Sequence, residues 1–326
     1  MFSTVGWPMW ALLILFVCGL IIIIKGGDFF VDAATWMAEV SGIPHFVIGA
    51  TVVSLATTLP ELIVSCLGAA RGSNAIAIGN AVGSVTANTG LIMAISILCV
   101  PAVIKRRQYA FKSILLIAAT AVLYLSSFGN HFSVIGSVVL LLVFAVSMYE
   151  SIQSAKTESQ SGEKKTFEKK ELPQNIIKFL FGAAGIAVGA DFLVTSATEI
   201  ARTSGISEAV ISATIVAIGT SLPELVTTIT AIVKKQSSLS VGNIIGANLI
   251  DIAIILPICS FVSGGRLVAL PQNLWIDIPV CLFILLVAIV PMLIKEKFSR
   301  IQGAALLAFY IAYVVVICLF NPFPAG

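Results

Sequence analysis

Residues 51–62 read TVVSLATTLPEL, and residues 214–225 read TIVAIGTSLPEL. The two stretches stand 163 residues apart, which makes Glu61 and Glu224 the same position of one repeated unit. Each sets a proline and a carboxylate in the middle of an apolar run long enough to cross a bilayer. A charged side chain at that depth costs roughly 2.5 kcal/mol or more, and such residues mark ion pathways. Two of them at matched positions point to one duplicated site.

The rest of the chain fits a membrane setting. It is 58% hydrophobic and 11% charged, with a mean hydropathy of +1.06, far outside the range of soluble domains. The reading is an all-α integral membrane protein, since lipid leaves no free backbone polar group unsatisfied. Ten spans are expected, at about 10–33, 46–70, 75–100, 110–127, 132–150, 175–200, 208–233, 237–262, 274–294 and 301–320. The first is read as a retained span and not a signal peptide. Residues 156–174 (KTESQSGEKKTFEKKELPQ) are polar and rich in Lys and Glu, and are expected to form a flexible cytoplasmic loop. The organisation is then a first five-helix repeat (1–155), the loop (156–174) and a second five-helix repeat (175–326).

Basic residues set the sidedness. Fifteen of the nineteen Lys and Arg cluster on one side: 105–112, the central loop with Lys178, Lys234, Lys235, Lys295, Lys297 and Arg300. Only Arg71, Arg202 and Arg266 fall on the other. The first side is therefore cytoplasmic and both termini are extracytoplasmic. Five spans separate the two motifs, so equivalent helices run in opposite senses. That is an inverted-topology repeat, an architecture whose substrate sites lie near the bilayer midplane.

Within each motif the proline removes a backbone donor and kinks the helix. Thr57 and Thr58 share a helical face with Glu61, as Thr220 and Ser221 do with Glu224. On the following spans, Asn80, Ser84 and Asn88 form one polar stripe, matched by Asn243, Ala247 and Asp251. Hydroxyl, carbonyl and carboxylate oxygens make a hard ligand set suited to Ca²⁺ or Na⁺ and poorly suited to zinc or copper. The six cysteines form no metal-type pair, His45 and His131 have no acid–base partner, and the glycines that recur on these spans are read as packing. Asp28 and Asp191, another pair at the 163-residue offset, sit nearer the span edges.

The signatures TTLPE…GNAVGSVTAN (57–61, 79–88) and TSLPE…GNIIGANLID (220–224, 242–251) resemble the paired alpha repeats of the sodium/calcium exchanger branch of the calcium/cation antiporter superfamily, in its prokaryotic form. The resemblance implies that Glu61 and Glu224 are the central acids for calcium or sodium. Thr57, Thr58, Thr220 and Ser221 would supply hydroxyl or carbonyl ligands, with the carbonyls of Ser54 and Ala217. Ser84 would complete an outer sodium site, and Asn88 and Asp251 would flank the middle one. Ala247 stands where some members carry the matching serine, and Asp251 against Asn88 breaks the symmetry. The implied activity is Na⁺/Ca²⁺ antiport by alternating access, in the cell membrane. The glycines of spans 1 and 6 would ease the sliding of that pair past the other eight helices.

On this reading the ions are substrates, no cofactor is needed, and the partners are Ca²⁺, Na⁺ and the lipid bilayer, with no nucleic acid and no obligatory protein. The alternatives are H⁺/Ca²⁺ exchange, K⁺-dependent Na⁺/Ca²⁺ exchange or exchange of another divalent cation. An enzyme is not expected, because no histidine or arginine falls at midplane depth.

Overall fold

The computed structural model describes residues 6–70, 74–100, 106–129, 131–161, 171–204, 219, 221–265 and 267–317. Among these the protein is helical throughout, with one isolated bridge, His131 to Val268, between two loops. Helix α1 is Met9–Ser41, ended by Gly42 at φ 69°, a conformation that favours glycine. A broken pair follows, α2 (His45–Thr57) and α3 (Leu59–Ala70), bent by 44°. Then come α4 (74–99), α5 (Arg106–Ser126), α6 (Val134–Ser161) and α7 (Glu171–Thr203). The remaining helices are α8 (Leu222–Val233), α9 (Ser237–Val262), α10 (Asn273–Lys295) and α11 (Arg300–Val315).

Seven described helices are long and apolar enough to cross a membrane, and the bent α2–α3 pair makes an eighth. Two shorter apolar helices, α8 and α11, fall on the seventh and tenth expected spans. The first part of the seventh span (205–218) lies outside the described residues. One expectation needs adjusting. The polar stretch read as a loop from 156 to 174 is helical through Ser161 and again from Glu171, because its Lys, Glu and Gln residues favour helix once the helix has nucleated in the membrane.

Two pairs of backbone irregularities repeat at the sequence offset, while the π segment Asn273–Asp277 has regular helix at its counterpart, 110–114. The chain leaves helical geometry at Thr58 (φ −86°, ψ 0°) and again at Ser221 (φ −89°, ψ 8°), 163 residues later. Each break lies two residues before a proline, where the helix loses a hydrogen bond. A π-turn opens at Asn88 in α4 and another at Asp251 in α9, also 163 apart. π-turns inside α-helices concentrate at functional positions.

Packing divides the helices into two groups. Helices α1 and α7 lie against each other along their length. A Cβ on Gly26 would sit 2.8 Å from the Ile186 amide nitrogen, so only glycine permits this backbone approach. Phe30 stacks on Phe179 with ring centroids 4.6 Å apart. Thus Gly26, Gly182, Gly185 and Gly189 hold α1 to α7 rather than easing either past the rest. Gly27 alone of this set faces another helix, meeting Val226 and Thr230 of α8. The main core is built from α4, α5, α9 and α10, with α2 crossing α9 closely at Gly246 and the Ala50 carbonyl.

Candidate functional site

The site grows from the two breaks. Where α2 ends, Pro60 cannot donate to the Ala56 carbonyl, and the turn leaves carbonyl oxygens of the last α2 residues unbonded within the helix. Glu61 then falls in the first turn of α3 and Glu224 in the first turn of α8. Helix N-termini carry positive dipole ends, which favour a carboxylate there. Local backbone physics therefore tolerates each acid where lipid alone would not.

Both glutamates are buried, and so is Asp251; none is more than 1% exposed. Glu61 lies within electrostatic reach of both Glu224 and Asp251. The two halves of the chain are stitched together here. Thr58 Oγ1 donates to the Ser54 carbonyl at 2.7 Å and lies 3.3 Å from Glu224 Oε1. Thr57 Oγ1 lies 3.3 Å from both the Ser54 carbonyl and Asn243 Oδ1. Asn243 Nδ2 in turn donates to Thr227 Oγ1 at 3.0 Å. In the first half, Asn80 Nδ2 reaches Ser65 Oγ at 2.9 Å.

Much of the oxygen in this region has no hydrogen bond. Both carboxylate oxygens of Glu61 and both of Asp251 are buried without a partner, as are Glu224 Oε2, Asn88 Oδ1, Ser221 Oγ and Thr228 Oγ1. An uncompensated buried charge costs several kcal/mol. Buried Lys112, in the first turns of α5, offers a contrast: it pairs with Glu150 at 3.6 Å and hydrogen-bonds Ser151, so its charge is answered. No described basic residue answers Glu61, Glu224 or Asp251. Orphaned oxygens of this kind are what an oxygen-binding cation would fill. Among the described residues no three His, Cys, Asp or Glu side chains are close enough to share one metal ion by themselves. Hydroxyls and carbonyls must therefore complete any cation shell.

Of the residues singled out in the sequence, Ser54, Thr57, Thr58, Glu61, Asn88, Ser221, Glu224 and Asp251 are buried around the paired breaks and π-turns. Thr220 and Ala217 lie outside the described residues. Ser84 is buried but faces a separate cavity of about 270 Å³. Three side chains at the site were not singled out as ligands: Asn243, Thr227 and Thr228. Asn243 was visible as the stripe equivalent of Asn80; the two threonines carry no signal beyond their helical spacing after Glu224.

Comparison with known proteins agrees with this geometry. The family model described as "Sodium/calcium exchanger protein" matches residues 11–153 and 175–319. An uncharacterized membrane protein of Methanocaldococcus jannaschii is 31% identical over 298 residues, 91% of this chain and 94% of that protein. The sodium/calcium exchanger MaX1 of Methanosarcina acetivorans is 27% identical, over 92% of this chain and 96% of its own. The structure of the sodium-calcium exchanger NCX_Mj, soaked with Na⁺ and Sr²⁺, superposes with a TM-score of 0.82 at 28% identity, covering 96% of this chain and 100% of that one. The family model, MaX1 and NCX_Mj are all described as exchangers and not as enzymes. With the family model matching nearly the whole length on both sides of the polar stretch, this chain is a multi-pass membrane protein belonging to the sodium/calcium exchanger family.

Proposed function

We propose that the protein is a secondary antiporter that exchanges Na⁺ for Ca²⁺ by alternating access across the cell membrane. The observation that carries this is the set of unpartnered oxygens on Glu61, Glu224 and Asp251, placed by two helix breaks and a π-turn. Glu61 and Glu224 are the central ligands. Thr57, Thr58, Thr220 and Ser221, with the carbonyls of Ser54 and Ala217, supply neutral oxygens. Asn88 and Asp251 flank the centre, and Ser84 serves an outer sodium position. Because both ions need the same carboxylates, occupancy by one excludes the other, and that exclusion couples the fluxes.

The architecture in this reading is ten transmembrane helices in two inverted repeats, 1–155 and 175–326, joined by a cytoplasmic segment at 156–174. Support comes from the fixed offset of the two breaks and of the π-turns at Asn88 and Asp251, and from the alternation of basic residues along the chain. Both termini then face outward. No cofactor or obligatory protein partner enters the mechanism.

The test is reconstitution into liposomes with each cation gradient imposed in turn. A Na⁺ gradient should drive ⁴⁵Ca²⁺ uptake, and a pH gradient without Na⁺ should not. Uptake driven by protons alone would overturn the sodium reading. Asp251, a third buried carboxylate, favours one further arm: a K⁺ requirement, checked by adding and removing K⁺ at fixed Na⁺.

A further inference from the structure

Asp277 has no acidic counterpart in the first repeat. The residue 163 positions earlier is Ile114, so the duplicated site does not call for an acid here. Yet Asp277 is a buried carboxylate within a membrane-length helix, 3% exposed. Three neutral donors point at it: Asn273 Nδ2 to Oδ2 at 2.9 Å, Tyr313 Oη to Oδ1 at 3.0 Å, and Gln272 Nε2 to Oδ1 at 3.5 Å. No described Lys, Arg or His forms an ion pair with it. A lone acid retained at such a place is a functional feature by default.

Its surroundings show what it does. Asp277 lines the cavity of about 270 Å³ that also contains Asn80, Ser84 and Tyr313. The cavity runs from Gln272 and Ile317, at helix ends on the side that the basic-residue pattern assigns as extracytoplasmic, to Ser84 and Ala87. Ala87 is the residue before Asn88, where the π-turn of α4 opens. A carboxylate offers about four lone-pair positions, and the three donors occupy most of them. What remains is one negative charge with little coordinating capacity, set among neutral oxygens. A divalent ion wants six to eight oxygens and more than one charge; a monovalent ion in transit does not.

We propose that Asp277 draws a monovalent cation, Na⁺ under the antiport reading on which this rests, along this cavity toward Ser84. Asp277 is a positioning residue for the ion and not a ligand of the central site.

The test uses full-length protein in liposomes, with Na⁺ titrated on the cavity's side and ⁴⁵Ca²⁺ flux measured. Asp277→Asn should raise the half-saturating Na⁺ about five-fold, the effect of removing one nearby charge in a half-shielded medium. The half-saturating Ca²⁺ and the maximal rate should stay at the parent value, and Asp277→Glu should restore Na⁺ dependence. Gln272→Lys, which sets a cation beside Asp277 at a half-buried position, should raise half-saturating Na⁺ in the same way and serves if Asp277→Asn does not fold. Tyr313→Phe keeps the charge and should leave Na⁺ dependence in place. The proposal is overturned if Asp277→Asn or Gln272→Lys lowers only stability or maximal rate, or weakens both ions alike. Failure of the antiport reading would look different, because the parent itself would then show no Na⁺-driven flux.

Discussion

Two contacts related by the 163-residue offset have opposite character. In one, α1 closes on α8: Gly27 meets Val226 and Thr230, and Lys234 at the end of α8 grips α1. Its ammonium lies 2.8 Å from Asp32 Oδ1, 3.5 Å from Asp28 Oδ1, and donates to the Asp28 carbonyl at 2.8 Å. In the other, the counterparts of Gly27 and Val226 are Ala190 on α7 and Ile63 on α3. These line a largely apolar cavity of about 470 Å³ that reaches Pro60 and Pro223. Asp191, the counterpart of Asp28, lines that cavity and has no ion pair with a described residue. Nearly equal sequences are thus packed shut at one end and left open at the other. The residues differ where it matters: a Cβ on Gly27 would sit 2.8 Å from Val226, and the open end carries Ala190 in place of that glycine and Thr195 in place of Asp32. For an alternating-access carrier, the closed contact is the one that must open next.

The largest effect should come from the centre that both contacts serve. Removal of an outer-shell metal partner alone costs about 10–100-fold, so Glu61→Gln or Glu224→Gln, which deletes a ligand charge, should abolish Na⁺-driven ⁴⁵Ca²⁺ flux while leaving the protein monodisperse in detergent. Retained flux in either variant would dissolve the comparison, because the two ends would no longer share a site.

Next in size is the α1–α7 unit. Gly26→Val places a side chain against the Ile186 amide and the Gly182 carbonyl, and overpacking of this kind costs about 1–3 kcal/mol. Flux should fall sharply while equilibrium Ca²⁺ binding at the carboxylates persists. Parallel loss of binding and flux would mean that α1 and α7 shape the site instead of gating it.

The asymmetry itself can be read by labelling. In a variant with the native cysteines replaced, Ile63→Cys should react with a membrane-impermeant thiol reagent from outside, and Val226→Cys should resist the same reagent from inside. Equal reactivity at the two positions would contradict the closed and open assignment.

The smallest expected effect is at Lys234. The lysine is 24% exposed, and the two acids are 41% and 56% exposed, so the cluster is worth little; exposed pairs contribute about 0.2–1 kcal/mol. Lys234→Ala should change the exchange rate about two- to five-fold, with the effect shrinking at high salt. A salt-independent change would mean that the lysine acts through packing.

How much of this could be read in the sequence follows from what each feature depends on. The breaks at Thr58 and Ser221 were legible because proline acts through its own missing N–H, wherever it sits. The acids were legible because charge in an apolar run is costly in any fold. The π-turns at Asn88 and Asp251 were not, since neither residue is itself a breaker and Gly90 and Pro257 beside them do not announce a wider turn. Asp277 escaped for another reason: its partner Tyr313 lies 36 residues on, and neither has a like residue at the offset, where Ile114 and Glu150 stand. The glycines of α1 and α7 were expected to ease sliding past the other helices, with close packing as the alternative, because the sequence does not say which neighbour each one faces. Only the fold shows that most face each other, while Gly27 faces α8.

Coupled exchange at this centre requires that Ca²⁺ and Na⁺ compete for a single carboxylate-centred site. Equilibrium ⁴⁵Ca²⁺ binding to the purified protein, titrated with NaCl against a choline chloride control, tests it directly. Na⁺ should displace Ca²⁺ completely from the parent protein, and Glu61→Gln should bind neither. Calcium that stays bound at saturating Na⁺, or binds undiminished in Glu61→Gln, would contradict the account.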